Sequence, residues 1–500
     1  MADVNVVDTS LRDGNQSLWS AMGMSTATVL GAAPAMARAG YDAVELINST
    51  IMGVAVRSHR EDPWERIRLA TRALGQTAAG FLTTGRRFIA WERAPDAVME
   101  LAFTLLVRNG IRRVWIVDPM NDVAAALRSA DMAKRAGAEE VVVGLIYSVS
   151  PVHSDAYYAE RATALRAQGG LHGVYLKDPG GLLTPERLRT LVPAIREGLA
   201  DGATLRELHS HCNTGLAPLC YLDAVELGVS TLHCASTPLA NGTSQPSVER
   251  VVTNLRERGH SVGLDEEALR EEADYFRAVA QRDGFPTGAP LEYDESYFRH
   301  QVPGGMVSTL RRQLDEVGMV DRLPAVLDEV AAVRRDFGYP IMVTPLSQFV
   351  GAQAVLNVVG DERYGTLAQE VVRYLLGDFG DPPAPIDADL LDRVQRLPRS
   401  RRMPISPDDD GLATLEQLRG QLGRRVADEE LLLRAVMRSD EVDGIRSPAH
   451  VVAGHSAQAN AIEDLLRGIS RRGDVGRLRI SKPGFRISLE RSGTETEPGG

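Results

Sequence analysis

Three polar clusters, far apart in this 500-residue chain, each follow a short apolar run. Val4 to Val7 leads to Asp8 and then to Leu11-Arg12-Asp13-Gly14-Asn15-Gln16-Ser17. Val174-Tyr175-Leu176 leads to Lys177, and Leu208 leads into His209-Ser210-His211. Side chains two apart on a strand face the same way, so His209 and His211 can ligate one ion. Imidazole pairs suit Zn, Mn or Co, and a carboxylate such as Asp13 completes a mixed nitrogen and oxygen site. The bland alternative is a pair of partly exposed histidines at a strand end. Lys177 also has two readings, because a desolvated ammonium needs a partner. It can form a salt bridge to Asp178 or Asp13. Alternatively, it is carbamylated by CO2, which turns a cation into an anionic oxygen ligand. In the second case Asp13, Lys177, His209 and His211 surround one divalent ion.

These residues need a scaffold that brings distant strand ends together. Up to about residue 255, β-branched apolar runs alternate with amphipathic stretches of helical length. The runs at 4–8, 43–47, 80–84, 113–118, 140–146, 173–177, 205–209 and 231–235 read as strands. Eight strand-then-helix units in this length predict an α/β fold, a (β/α)8 TIM barrel. A doubly wound open sheet is disfavoured, because the Gly-rich phosphate turn after the first strand is missing. Asp8, Arg12, Asp13, Asp118, Lys177, His209 and His211 all fall at strand C-terminal ends or just beyond. That is where such barrels carry their chemistry.

The expected organisation is a catalytic barrel over 1–255, a mostly helical extension over 256–405, a helical segment and linker over 406–443, and a small α+β tail over 444–500. Linkers are expected at 404–410 and 447–459. The tail reads as a helix at 459–471 followed by a β-hairpin, 475–481 and 484–490, turning at Lys482-Pro483-Gly484. The hydrophobic and charged fractions, 44% and 25%, are those of a globular protein. A net charge of -11 argues against non-specific binding to nucleic acid or to an anionic membrane. No apolar run is long enough to span a bilayer, and the N-terminus lacks a secretory pattern. Cys212, Cys220 and Cys234 have no CxxC spacing, so a reduced, cytoplasmic protein is expected.

At these residues the chain resembles the biotin-dependent carboxyltransferases: the oxaloacetate decarboxylase α subunit, the pyruvate-handling subunit of transcarboxylase and the matching domain of pyruvate carboxylase. They lie within the wider superfamily of metal-dependent lyase barrels. Further markers are Glu61-Asp62-Pro63-Trp64-Glu65-Arg66, Asp118-Pro119-Met120-Asn121-Asp122, Ser150-Pro151-Val152-His153, Thr243-Ser244-Gln245-Pro246, Pro303-Gly304-Gly305-Met306 and Val343-Thr344-Pro345-Leu346-Ser347-Gln348. The resemblance implies a divalent metal held by Asp13, carbamylated Lys177, His209 and His211. It implies carboxyl transfer between carboxybiotin and an enolisable acid through a metal-stabilised enolate. Arg12 would hold substrate oxygens, Gln16 would add a hydrogen bond, and Ser308 would carry a proton, with Thr309 as a neighbour able to substitute. No Met-Lys-Met biotin attachment sequence occurs, so biotin is expected on a partner biotin carboxyl carrier protein, with a biotin carboxylase subunit and a homo-oligomeric assembly. The tail weakly resembles the leader that precedes carrier domains, which suggests that it docks a partner.

The chain departs from the pyruvate-handling pattern in the substrate pocket. Relatives have Gly-Gly-Ala-Thr-Phe-Asp where this chain has Asn48-Ser49-Thr50-Ile51-Met52-Gly53, which puts Gly53 at the aspartate. Relatives also have Leu-Arg-Gly and then a tyrosine, where this chain has Thr84 for the arginine and Trp91 for the tyrosine. Losing one arginine–carboxylate contact costs on the order of 2–5 kcal/mol. An atypical acid substrate is therefore expected, with Arg86 or Arg87 as shifted replacements. The alternative functions are a biotin-independent metal-dependent carbon–carbon lyase, aldolase or decarboxylase on the same barrel, and a non-catalytic scaffold of a carboxylase complex.

Overall fold

The computed structural model describes residues 1–89, 94–166, 169–316, 318–398, 414–422 and 426–445, with the backbone of 477–482 and 485–490. Trp91, both expected linkers and the expected tail helix lie outside the described residues.

Eight parallel strands close into a barrel: β1 (Asn5–Asp8), β2 (Ala43–Asn48), β3 (Ala78–Thr84), β4 (Arg113–Val117), β5 (Glu140–Ile146), β6 (Gly173–Asp178), β7 (Leu205–Ser210) and β8 (Thr231–Cys234). β1 closes the ring against β8, with Val7 opposite His233. Each expected strand is present with its ends shifted by no more than a few residues, as the alternation of apolar runs and amphipathic stretches requires.

Two-residue alternation sorts the side chains. One set faces the surrounding helices and joins the large outer core. The other fills the barrel: Val7, Ala43, Leu82, Trp115, Val117, Val142, Ile146 and Tyr175 form one buried interior cluster. Two aromatic rings fit there because glycines stand opposite them. A Cβ on Gly80 would lie 2.0 Å from the Trp115 ring, and one on Gly144 would lie 2.4 Å from the Tyr175 ring.

Beyond the barrel, a helical region builds a second core from Leu310, Leu314, Val326, Val330, Val350 and Val371. It is fastened to the barrel by Arg334. This buried guanidinium donates to the Val149 carbonyl at 2.9 Å and to Ser148 Oγ at 2.8 Å. Ile341 of the same region reaches into the barrel's interior cluster. A further helix, Ala388–Arg396, buries Leu390 and Val394.

Three further helices, Leu415–Leu422, Asp428–Val436 and Ser439–Asp443, return to the barrel. Leu432, Leu433 and Val442 join its outer core. Glu429 takes Arg68 and Asn109 at 2.7 and 3.0 Å, and its carbonyl accepts the Trp64 indole N–H. In the tail, Arg477–Lys482 (β9) and Phe485–Glu490 (β10) pair antiparallel, with Phe485 opposite Lys482.

The glycine slot gives a stability test. Gly80→Ala should destabilise the protein by about 1–3 kcal/mol, the cost of over-packing a filled core, read as a lower urea midpoint at unchanged m-value.

Candidate functional site

The chain leaves β1 through a π-helical turn, Ser10–Gly14, that carries Arg12 and Asp13 inward over the barrel mouth. Ser10 holds the turn to the strand end: its N–H and hydroxyl both donate to Asp8. Gly14 is needed for close approach, because a Cβ there would lie 3.0 Å from the Leu239 carbonyl.

Asp13 then meets residues from β6 and β7. Its Oδ2 lies 3.0 Å from His209 Nε2, 3.4 Å from His211 Nε2 and 3.7 Å from Lys177 Nζ. The two Nε2 atoms are 3.3 Å apart, and Lys177 Nζ is 3.2 Å from His209. The sequence-predicted ligand set therefore converges on one point. Lys177 pairs with Asp13 rather than with Asp178. Strand alternation turns Asp178 to the outside, where it accepts from Leu182 N, Leu183 N and Ser210.

The electrostatics suit a cation. Burial drives the Asp13 carboxyl upward, but Arg12, His211 and Lys177 hold it well below the usual carboxylate range. Burial and the Arg12 guanidinium pull the Lys177 ammonium down to about 8. Burial and Lys177 push His209 well below the usual imidazole value, so its ring is neutral. The His211 Nδ1–H donates to the Thr243 carbonyl at 2.7 Å, which leaves its Nε2 lone pair facing the cluster. A carboxylate and two imidazoles, all buried and converging, form a donor set that fits a divalent metal ion.

Several residues at this site were missed by the sequence reading. Arg12 Nη2 lies 2.6 Å from both oxygens of Glu45 and 3.0 Å from Asp13, so a carboxylate from β2 orients it. Gln245, within the Thr243–Pro246 marker, sends its amide N–H2 to His211 and His209 at 3.0 and 3.3 Å. Its carbonyl oxygen accepts from Thr9. Glu207 and His233 lie beneath His209. Reading the alternation of Glu207, His209 and His211 one step further back would have found Glu207. Glu45 had no such signal within its apolar run.

A cavity of about 1320 Å³ opens above these groups. Arg12, Asp13, Gln16, Lys177 and His211 stand in its wall with Thr84. The Gln16 carbonyl oxygen accepts from Asn48, so what it can offer a substrate is donation from its N–H2. Gly53 is buried and is not in the wall. The Arg57 guanidinium folds back over it, 2.9 Å from where a Cβ would stand, and lines the cavity instead. Arg86 turns away into an ion pair with Asp96 at 2.5 Å, whereas Arg87 lines the cavity above the Phe379 ring. Ser308 and Thr309 fall on the helix Gly304–Glu316, whose Gly304, Met306, Leu310 and Gln313 also line the cavity. Their side chains lie outside the described residues. The returning C-terminal helices complete the wall with Leu418, Met437 and Glu441, and Glu441 reaches Arg57 at 3.5 Å.

Other polar residues are structural. Asp62 caps the helix Pro63–Leu74, and Glu61 binds Thr26 and Arg66 in the core. His153 is held by Ser150 and packs on Tyr157. Cys212 is buried, which pushes its thiol up and away from reactivity.

Residues 298–443 match the conserved carboxylase domain family, and residues 3–275 match the HMGL-like family. A pyruvate carboxylase subunit of Methanocaldococcus jannaschii is 39% identical over 78% of this chain and 68% of its own length. The 2-oxoglutarate carboxylase large subunit of Hydrogenobacter thermophilus is 30% identical over 86% of this chain and 66% of its own length. The carboxyl transferase domain of Rhizobium etli pyruvate carboxylase, solved with oxamate and biotin, superposes with a TM-score of 0.77 at 25% identity, covering 88% of this chain and 77% of that one.

The Arg12–Glu45 pair is open to direct measurement. Glu45→Gln leaves a buried guanidinium short of its counter-charge and should cost about 3 kcal/mol in urea unfolding, the scale of a broken buried pair.

Proposed function

We propose that this chain, an enzyme that belongs to the biotin-dependent carboxyltransferase family within the HMGL-like superfamily, moves a carboxyl group between carboxybiotin on a separate chain and an enolisable acid recognised differently from pyruvate. One observation carries the reading. Asp13, Lys177, His209 and His211 converge on one point, and Asp13, Lys177 and His211 line a cavity that also presents Arg12 and Gln16.

An ion held by these four residues would supply a Lewis acid for the enolate oxygen. Lys177 would hold such an ion best as a carbamate, an anionic oxygen donor next to two imidazoles. Arg12, steadied by Glu45, holds the oxygens of the acid, and Gln16 donates a further hydrogen bond. Ser308, on the helix along the cavity, carries the proton between biotin and the enolate carbon. The apolar part of the wall, to which Met306, Leu310 and Met437 contribute, limits the water around the carboxyl group in transit.

Recognition of the acid falls to new positions. Thr84 offers a hydroxyl, while Arg57 over Gly53 and Arg87 over Phe379 provide the cationic surface. The Hydrogenobacter relative is named for a different 2-oxo acid from the archaeal one, which supports substrate variation on this scaffold. A biotinyl carrier and a biotin carboxylase are the partners we assign, with the region 444–500 as the docking module.

Two tests follow. With carboxybiotin supplied, the enzyme should turn over a 2-oxo acid other than pyruvate or oxaloacetate. Arg57→Gln or Arg87→Gln should lower kcat/KM for that acid on the order of 100-fold, about 3 kcal/mol. Efficient turnover of pyruvate, indifferent to both variants, would sink the altered pocket. Separately, deleting residues 444–500 should abolish capture of the chain on avidin through its biotinyl partner. Undiminished capture would remove the docking role.

A further inference from the structure

Below the converging donors, the barrel interior holds a second polar layer that no substrate can reach. Glu207 is on β7, one pleat beneath His209, and His233 is on β8. Both are about 1% exposed. We infer that Glu207 and His233 are positioning residues: they form a carboxylate–imidazole–imidazole relay that sets the tautomer of His209 and so aims its Nε2 lone pair at Asp13, Lys177 and His211. This inference rests on the reading that those four residues hold a divalent ion.

The hydrogen-bond count leaves one arrangement for neutral rings. A carboxylate can only accept. One oxygen of Glu207 accepts from the Trp115 indole at 2.8 Å and from His233 Nε2 at 2.8 Å, so the His233 proton sits on Nε2. His233 Nδ1 is then an acceptor. The atom facing it, 3.2 Å away, is His209 Nδ1, which must donate. The single proton of His209 is thereby held on the floor side of the ring. Its Nε2 is bare and faces Asp13 at 3.0 Å and His211 Nε2 at 3.3 Å.

Packing keeps the relay in register. The His233 ring lies parallel to Tyr175, 2° apart in plane at 5.7 Å, and edge-on to Trp115. Burial pushes the Glu207 carboxyl up, but its contact with His233 and the Arg113 guanidinium, 3.7 Å from its other oxygen, hold it below its usual range. His211 reaches the same tautomer by a different route, from the Thr243 carbonyl. The two rings are thus prepared independently.

Glu45, His209 and His233 also bring ligand atoms close enough for a second ion. The relay opposes it, because both nitrogens of His233 are already engaged, Nε2 with Glu207 and Nδ1 with His209. Both oxygens of Glu45 are taken by Arg12. The interior layer therefore supports the outer site and does not compete with it.

The test uses the full-length protein, stripped with a chelator and titrated with Zn2+ against a chromophoric competitor. His233→Leu should weaken Zn2+ binding 10–100-fold, the usual cost of losing an outer-shell partner. His233→Gln should stay within a few-fold of wild type. Its side-chain oxygen can accept from His209 Nδ1–H while its N–H2 donates to Glu207. If His233→Leu binds as tightly as wild type, or His233→Gln is as weak as His233→Leu, the relay is wrong. Should His233→Leu fail to fold, 15N-histidine spectra of the metal-free wild type decide: an Nδ1–H tautomer at His209 supports the relay and an Nε2–H tautomer overturns it. Wild-type protein that takes up no Zn2+ or Mn2+ overturns the metal reading itself, whereas failure confined to the His233 variants overturns the relay alone.

Discussion

A buried charge must be paired, and the barrel mouth is organised by that constraint. Arg12, Asp13, Glu45 and Lys177 each lie at or below 5% exposure. None of them could be carried there alone, since an unpaired ion in the interior costs several kcal/mol. Arg12 resolves the problem by bridging Glu45 and Asp13, and Lys177 completes it from β6. The arrangement holds together only if β1, β2, β6 and β7 keep their register, so the site and the fold enforce each other. It also leaves Asp13 charged and His209 neutral, which are the protonation states a metal ligand needs.

Below that layer the barrel becomes a mixture of rings and polar groups rather than a purely aliphatic plug. Trp115 and Tyr175 occupy space ceded by Gly80 and Gly144. Their rings in turn wall in Glu207 and His233. Strand alternation produces this depth order directly: residues two apart along β7 sit one layer apart on the same inner face. Glu207, His209 and His211 each have polar partners along that line, which is what allows polar chemistry inside a dry core.

The cavity wall has a different origin. The barrel supplies only its floor and one side. The helix Gly304–Glu316 forms another side, and the returning helices of 414–445 close it beside Arg57. The apolar anchors of that return, Leu432, Leu433 and Val442, are far in sequence from the barrel residues they cover. Arg57 reaches the cavity because Gly53 has no side chain, so one small residue and one long one act as a unit. Arg86 and Arg87, adjacent in sequence, part ways: one is consumed by Asp96 and the other stands in the wall.

Much of this was legible in the chain. The period of apolar runs specified eight strands and hence a barrel, because a strand buried on both faces has few other ways to read. The positions of Asp13, Lys177, His209 and His211 at strand ends followed from the same period, since register along a strand is local. What the tertiary structure decided was partnership across strands. Glu45 lies within an apolar run and acquires meaning only when Arg12 folds over it from another loop. Lys177 had two carboxylates in reach of sequence logic, and the pleat selected Asp13 by turning Asp178 outward. His233 reads as an ordinary strand residue until closure of the ring places it under His209. Local sequence sets which face a side chain takes, whereas the partner it meets depends on how the barrel closes.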